Sequence, residues 1–238
     1  MNSVGKTHPG MIRKNNQDNF LNYRKDDFVV LAVADGLGGH NAGEVASKRC
    51  VDLLLQFLKE KNKKEIFTSE NIFELIAQMN QDIFSASQSN KNLSGMGTTL
   101  SLCVADNSRA MIYQLGDSRV YSLNGKGIHQ VTKDHSLVQY MLDSGQITAS
   151  QAVNHPQKNV ITRALGTDES AEADLYEITL KDKDKLLLCS DGLSNTVSNE
   201  EIYRTVCEND QETAAQKLID LANAHGGSDN ITVVLFEV

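Results

Sequence analysis

The sequence predicts an α+β fold in which mostly antiparallel sheets carry helices on their outer faces. Apolar runs of strand length recur along the whole chain. Two pairs of them are separated by turn-forming residues, Asp106-Asn107-Ser108 and Asn124-Gly125, as hairpin strands are. The amphipathic helical patterns are inserted between groups of strands instead of alternating with them, which argues against a doubly wound parallel sheet.

Taken in order, Asn2 to Thr7 reads as an opening strand, turned at His8-Pro9-Gly10, and Phe20 to Tyr23 as a short second one. Phe28 to Ala34 (FVVLAVA) has no polar side chain and no 3.6-residue stripe, so it reads as a strand buried on both faces. It delivers Asp35 to a turn made of Gly36, Leu37, Gly38, Gly39 and His40. Asn41 is placed to cap a helix reaching about Glu60, with Ala46, Cys50, Leu53, Leu54, Phe57 and Leu58 on one face. Thr68 or Ser69 starts a second helix, striped by Ile72, Leu75, Ile76, Met79 and Ile83. The charge run between them, Lys59 to Glu65, reads as a solvated connection.

Thr98 to Ala105 and Arg109 to Leu115 form one expected hairpin, and Val120 to Leu123 with Gly127 to Val131 a second. A short helical pattern spans His135 to Asp143. The stretch Ser144 to Thr167 then lacks regular signals and reads as a long, lid-like loop. Ala173 to Leu180 and Lys185 to Cys189 return to strands. Ser198 and Glu201 make a capping-box pair, and Asp210 caps a last helix in which Ala215, Leu218, Ala222 and His225 share a face. Gly226-Gly227 stops that helix, and Ile231 to Val238 is the final strand.

At 238 residues, with two prolines and no Ser/Gly-rich tract, the chain is expected to be a single domain over residues 1–238. A net charge of −8 with scattered basic residues argues against nucleic acid and anionic membrane as partners. No apolar signal region opens the chain and no run nears the ~20 residues of a membrane span, so a soluble, cytoplasmic protein is expected. Cys50, Cys103, Cys189 and Cys207 are widely spaced without a CxxC pair. They read as buried thiols of a reducing compartment, not as zinc ligands or a disulfide framework.

The feature that most needs explaining is a repeated construction. Asp35, Asp117 and Asp191 each sit just beyond an apolar run, Asp229 just before one, and Asp18 just before the short strand at Phe20. Aspartate is common in turns, and these five can cap separate loops. Brought together, they would repel one another unless cations neutralised them, and an all-oxygen donor set selects Mg²⁺, Mn²⁺ or Ca²⁺. The alternating acidic loop of a structural calcium site is absent from the sequence.

Seven segments in order carry a resemblance. They are RKNNQD (Arg13 to Asp18), ADGLGGH (Ala34 to His40), GMGTT (Gly95 to Thr99), GDSR (Gly116 to Arg119), TKDHS (Thr132 to Ser136), SDGL (Ser190 to Leu193) and SDNIT (Ser228 to Thr232). Together they resemble the metal-dependent type 2C serine/threonine protein phosphatases, the PPM family, and the compact length and DGLGGH look like its small stand-alone bacterial members. The resemblance implies an α-β-β-α sandwich of two mostly antiparallel sheets flanked by helices. It also implies two Mg²⁺ or Mn²⁺ ions in a core site, with a third, looser ion as an open addition. Asp35 would bridge the two ions with the Gly36 carbonyl as a further ligand; Asp191 and Asp229 would bind one, and Asp18 would reach the other partly through water. Asp117 with Asp191 matches the third site, and Arg13 matches the arginine that binds substrate phosphate.

The implied reaction is hydrolysis of phosphoserine or phosphothreonine by direct attack of a metal-bridging hydroxide, with no Cys or Ser nucleophile. Many eukaryotic relatives have a histidine directly after the Asp-Gly pair. Leu37 fills that slot here, which leaves His40 as a candidate general acid beside a metal-bound water. Ser144 to Thr167 corresponds to the flap beside the cleft in bacterial relatives. The implied partners are phosphorylated proteins, a Ser/Thr kinase and its substrates among them, acted on by a monomer. The rival from another class is a catalytically weak or inactive scaffold that binds partner proteins, whose mark would be loss of the metal aspartates.

Overall fold

The computed structural model describes residues 2–38, 42–153 and 155–238. The expected cap Asn41, together with Gly39 and His40 of the glycine turn, lies outside the described residues. In chain order the elements begin with β1 (Asn2–His8), β2 (Asp18–Lys25) and β3 (Phe28–Leu37). Helices α1 (Ala42–Glu60), α2 (Lys63–Ile66) and α3 (Ser69–Ser89) follow, then β4 (Gly97–Thr98), β5 (Leu100–Asp106), β6 (Arg109–Leu115), β7 (Arg119–Asn124) and β8 (Gly127–Gln130). The remainder is α4 (Leu137–Asp143), α5 (Ala149–Val153), β9 (Asp174–Thr179), β10 (Lys185–Cys189), α6 (Asp191–Ser194), α7 (Asn199–Cys207), α8 (Gln211–Ala224) and β11 (Ile231–Glu237).

The strands form two sheets. One has the order β1-β11-β10-β7-β8, the other β2-β3-β5-β6-β9 with β4 added beside β3, and every strand pairing among the described residues is antiparallel.

The alternation of β3 explains its uniformly apolar sequence. Val29, Leu31 and Val33 point into a core shared with Ile112, Leu186, Leu188, Val234 and Phe236, the filling between the two sheets. Phe28, Val30, Ala32 and Ala34 point the other way, into a core built with Cys50, Leu54 and Leu58 of α1 and Ile72, Ile76, Met79 and Ile83 of α3. A third core joins Leu187, Cys189, Val233 and Leu235 to Ile202 and Val206 of α7 and to Ala215, Leu218 and Ala222 of α8. The layers therefore run helix, sheet, sheet, helix, as expected. A strand sandwiched on both sides has no solvent face to make polar.

Several local expectations need correction. β2 begins on Asp18 itself, so that this carboxylate belongs to the ladder and not to the loop before it. The charge run Lys59 to Glu65 is not simply a solvated connection, because Asn62 and Glu65 form a capping box that starts the one-turn α2 and buries Ile66. Ser144 to Thr167 contains α5 and is pinned at its end, where Thr98 and Leu165 exchange backbone hydrogen bonds. His225 does not share the buried face of α8. It is an exposed residue just past the helix end, and its Nδ1 donates to the Thr196 carbonyl at 2.8 Å. Cys207 is exposed as well, because Ile202 and Val206 take the inward face of α7.

Leu188 is fully buried between the sheets. Leu188→Ala is expected to cost about 2–5 kcal/mol, read as a lowered urea midpoint, because the rigid strands on both sides cannot collapse into the void.

Candidate active site

Strand register brings the five aspartates to one end of the sandwich. In one sheet Asp18, at the start of β2, is the direct cross-strand partner of Asp35 near the end of β3. Leu100 pairs with Leu115 at the same end, two residues before Asp117. In the other sheet Cys189 pairs with both Arg119 and Val233, which sets Asp117, Asp191 and Asp229 beside one another at the matching end. The chain crosses between sheets here, at residues 9–17 and at Gly116 to Ser118.

Asp35, Asp117, Asp191 and Asp229 line a cleft of about 220 Å³, whose walls include Arg13, Gly36, Asn159 and Ile161. Asp18 is buried.

Several other residues of the seven segments hold these carboxylates, or the loops that bear them, in place. Thr99 Oγ1 accepts the Asp35 N–H at 2.9 Å and shares a hydrogen bond of 2.8 Å with Ser118, beside Asp117. Ser190 and Thr232 donate their hydroxyls to one oxygen of Asp18, at 2.7 and 2.6 Å. Arg119 grips Asp134 through Nε and a terminal nitrogen, the latter at 2.7 Å, tying GDSR to TKDHS. His135 accepts the Gly116 N–H on Nδ1 and so presents its Nε2 proton to Asp174, at 3.2 Å.

Two anchors were not read from the sequence. Asn230 accepts the Gln17 N–H and donates to the Pro9 and Asn15 carbonyls, fastening the crossing segment that bears Arg13 to the start of β11. Its side chain satisfies backbone groups far away in the chain, and no local pattern signals that. Gly36 and Gly43 make the second anchor. A Cβ on Gly36 would stand 2.2 Å from the Gly43 carbonyl oxygen, so the turn after β3 and the start of α1 can approach only as paired glycines.

The electrostatics of the cleft fit a cation. Asp18 and Asp117 are each pushed up to about 6, first by burial, and then by Asp229 for Asp18 and by Asp134 for Asp117. Asp35 and Asp191 are raised well above the usual carboxylate range, by burial first and then by the other aspartates. One buried oxygen on Asp18 and one on Asp117 have no hydrogen-bond partner. Buried acceptors are normally paired, and a hard cation is the partner that all-oxygen donors of this kind suit. Among the described residues no group of three acidic, histidine or cysteine side chains stands arranged to hold an ion.

Arg13 reaches the cleft as an exposed ion pair with Asp229, at 2.8 Å. The expected general acid His40 lies outside the described residues.

Comparison with known proteins places these features in a family. The profile of Protein phosphatase 2C matches residues 12–223. Serine/threonine phosphatase stp of Listeria monocytogenes is 40% identical over 247 aligned positions, covering 100% of this chain and 96% of that one. The S. agalactiae serine/threonine phosphatase structure superposes with a TM-score of 0.92 at 35% identity, covering 98% of both chains. The catalytic domain of serine threonine protein phosphatase PstP, solved in complex with two manganese ions, gives 0.86 at 34% identity over 98% of this chain and 96% of that one.

A folded-state pKa raised above the unfolded value near 3.9 means that the fold favours the protonated acid. The stability this contributes is complete below about pH 4 and is lost as pH rises through about 6. In chelator-treated protein, Asp18→Asn should therefore gain on the parent by on the order of 1–3 kcal/mol between pH 4 and 7. Urea midpoints of the pair across that range check it, and a difference that stays constant with pH would contradict the burial of this charge.

Proposed function

Because the chain belongs to the Protein phosphatase 2C family, we infer that the aspartate cleft is its active site and that it acts as a metal-dependent protein serine/threonine phosphatase. The observation that carries this is the convergence of the five aspartates beside Arg13, with unpartnered buried oxygens on Asp18 and Asp117. All five acidic positions are present, so an inactive scaffold is not favoured.

The ligands are assigned as follows. Asp35 would serve both ions of the core site, with the Gly36 carbonyl as a further ligand; Asp191 and Asp229 would hold one ion, and Asp18 would reach the other partly through water. Asp117 with Asp191 would hold a third, looser ion. Mg²⁺ and Mn²⁺ both suit this donor set. When bound, a pair of such ions lowers the pKa of water and offsets charge on the attacking and leaving oxygens of an in-line displacement.

The residues supply the rest. Arg13 offers a planar fork to two phosphate oxygens, and its pairing with Asp229 is an exposed one, worth about 0–1 kcal/mol and readily exchanged for substrate. His40 remains the side-chain candidate for protonating the departing alkoxide. Burial pushes the thiols of Cys50, Cys103 and Cys189 up to about 12, which leaves them too protonated to serve as nucleophiles near neutrality.

Residues 1–238 act as one catalytic domain with a flap at about 144–167. The substrates are phosphoproteins. A Ser/Thr kinase and its targets are the proposed partners, for a monomer working in the cytoplasm. No described helix is long and apolar enough to cross a membrane.

Purified protein should hydrolyse a phosphothreonine peptide with Mn²⁺ or Mg²⁺ and stop with chelator. Asp191→Ala should lose both turnover and Mn²⁺ binding measured by calorimetry. Arg13→Ala should keep Mn²⁺ and lose about 10- to 100-fold in kcat/KM, the worth of a charged hydrogen-bonding pair. Equal metal loss in Arg13→Ala would overturn this division of roles.

A further inference from the structure

Among the described residues five large apolar side chains are exposed: Met11, Ile12, Phe73, Tyr140 and Val160. Phe73 packs edge-on against Tyr113, with ring centroids 5.3 Å apart. Met11, Ile12 and Val160 lie in segments that line the candidate cleft, and Tyr140 lies on a helix beside it without lining it. Met11 and Ile12, 65% and 70% exposed, immediately precede Arg13. Val160, 42% exposed, lies between Asn159 and Ile161, both of which line the cleft. Tyr140, 63% exposed, is on α4, whose Val138 and Leu142 wall an adjoining pocket of about 410 Å³ that shares Asp117 and Asp191 with the cleft.

The charge of the same segments is reversed from that of the chain. The protein carries 31 acidic and 23 basic residues. Residues 9–17 and 144–167 nonetheless hold Arg13, Lys14, Lys158 and Arg163 and no Asp or Glu. Lys14 and Lys158 are exposed, and Lys158 lines the adjoining pocket. Single exposed apolar residues need no explanation, but apolar and basic residues gathered on two segments around one cleft do.

We propose that these segments form a docking rim for the phosphorylated stretch of a protein substrate. The rim selects a bulky apolar side chain next to the phosphoresidue and acidic residues further along. Ile12 and Val160 cover the apolar neighbour, Lys14 and Lys158 attract the acidic flank, and the adjoining pocket gives the chain beyond the phosphoresidue a place to lie. The proposal rests on the phosphatase reading and adds the substrate class to it.

The test measures kcat/KM with Mn²⁺ for a small aryl phosphate and for phosphothreonine peptides. The neighbour of the phosphothreonine is Leu or Gly, and the outer flank is Glu, Gln or Lys. The Leu/Glu peptide should exceed the Gly/Lys peptide by about 10-fold or more, and the advantage of Glu over Lys should shrink as salt is raised. Ile12→Ser combined with Val160→Ser should lower the ratio of Leu-peptide to aryl-phosphate kcat/KM about 10-fold. Equal rates across the panel, or an equal fall on both substrates in the double variant, would overturn the docking rim while leaving the phosphatase reading intact. Failure to turn over even the aryl phosphate would overturn the phosphatase reading itself and the rim with it.

Discussion

Asp18 and Asp35 stand directly opposite each other on neighbouring strands, the arrangement in which like charges repel most within a sheet. Asp117, Asp191 and Asp229 add to the same field, and burial removes the water that would screen it. Such a cluster is tolerable only if its members are protonated, hydrogen-bonded or shared with cations. Much of the architecture can be understood as the means of holding these groups together despite that repulsion. The two sheets end at one edge, and the loops that could have spread the charges apart are instead fastened across it.

The fastening is done by small polar side chains with defined partners. Ser190 and Thr232 come from two neighbouring strand ends, and both spend their hydroxyl protons on the same oxygen of Asp18, which leaves its other oxygen without a partner. Thr99 holds the Asp35 backbone and Ser118 at once, linking the carboxylate at the end of β3 to the crossing that carries Asp117. Asn230 satisfies three backbone groups of the segment bearing Arg13. A network of this kind fixes position without adding positive charge to the cleft. Arg13 is the basic side chain that lines it, and its pair with Asp229 is exposed to solvent.

The rim belongs to a different regime. The carboxylate floor is anchored at the ends of paired strands, most of them buried, whereas the surrounding segments, residues 9–17 and 144–167, run mainly outside the strands and expose apolar and basic side chains. Rigid floor and exposed rim suit separate tasks. Chemistry needs carboxylates held to within fractions of an ångström, and recognition of varied protein segments needs contact area and charge around them.

The sequence by itself determined the layers and the chemical character of the site. An apolar run such as FVVLAVA, with no face left polar, can only be a strand covered on both sides, and the stripes of α1 and α3 supply one of those covers. Asp at strand exits was likewise visible, because each marks the point where an apolar run stops. Local pattern could not choose between five separate turn caps and one cluster, since that depends on register between strands as distant in the chain as β1 and β11. The tertiary structure decided it by pairing Asp18 with Asp35, and Cys189 with Arg119 and Val233. It alone also revealed the tie from Asn230 to the Arg13 segment and the meeting of Arg13 with Asn159 and Ile161 at one cleft. Each of these is a contact between residues remote in the chain, and neither propensity nor periodicity carries information at that range.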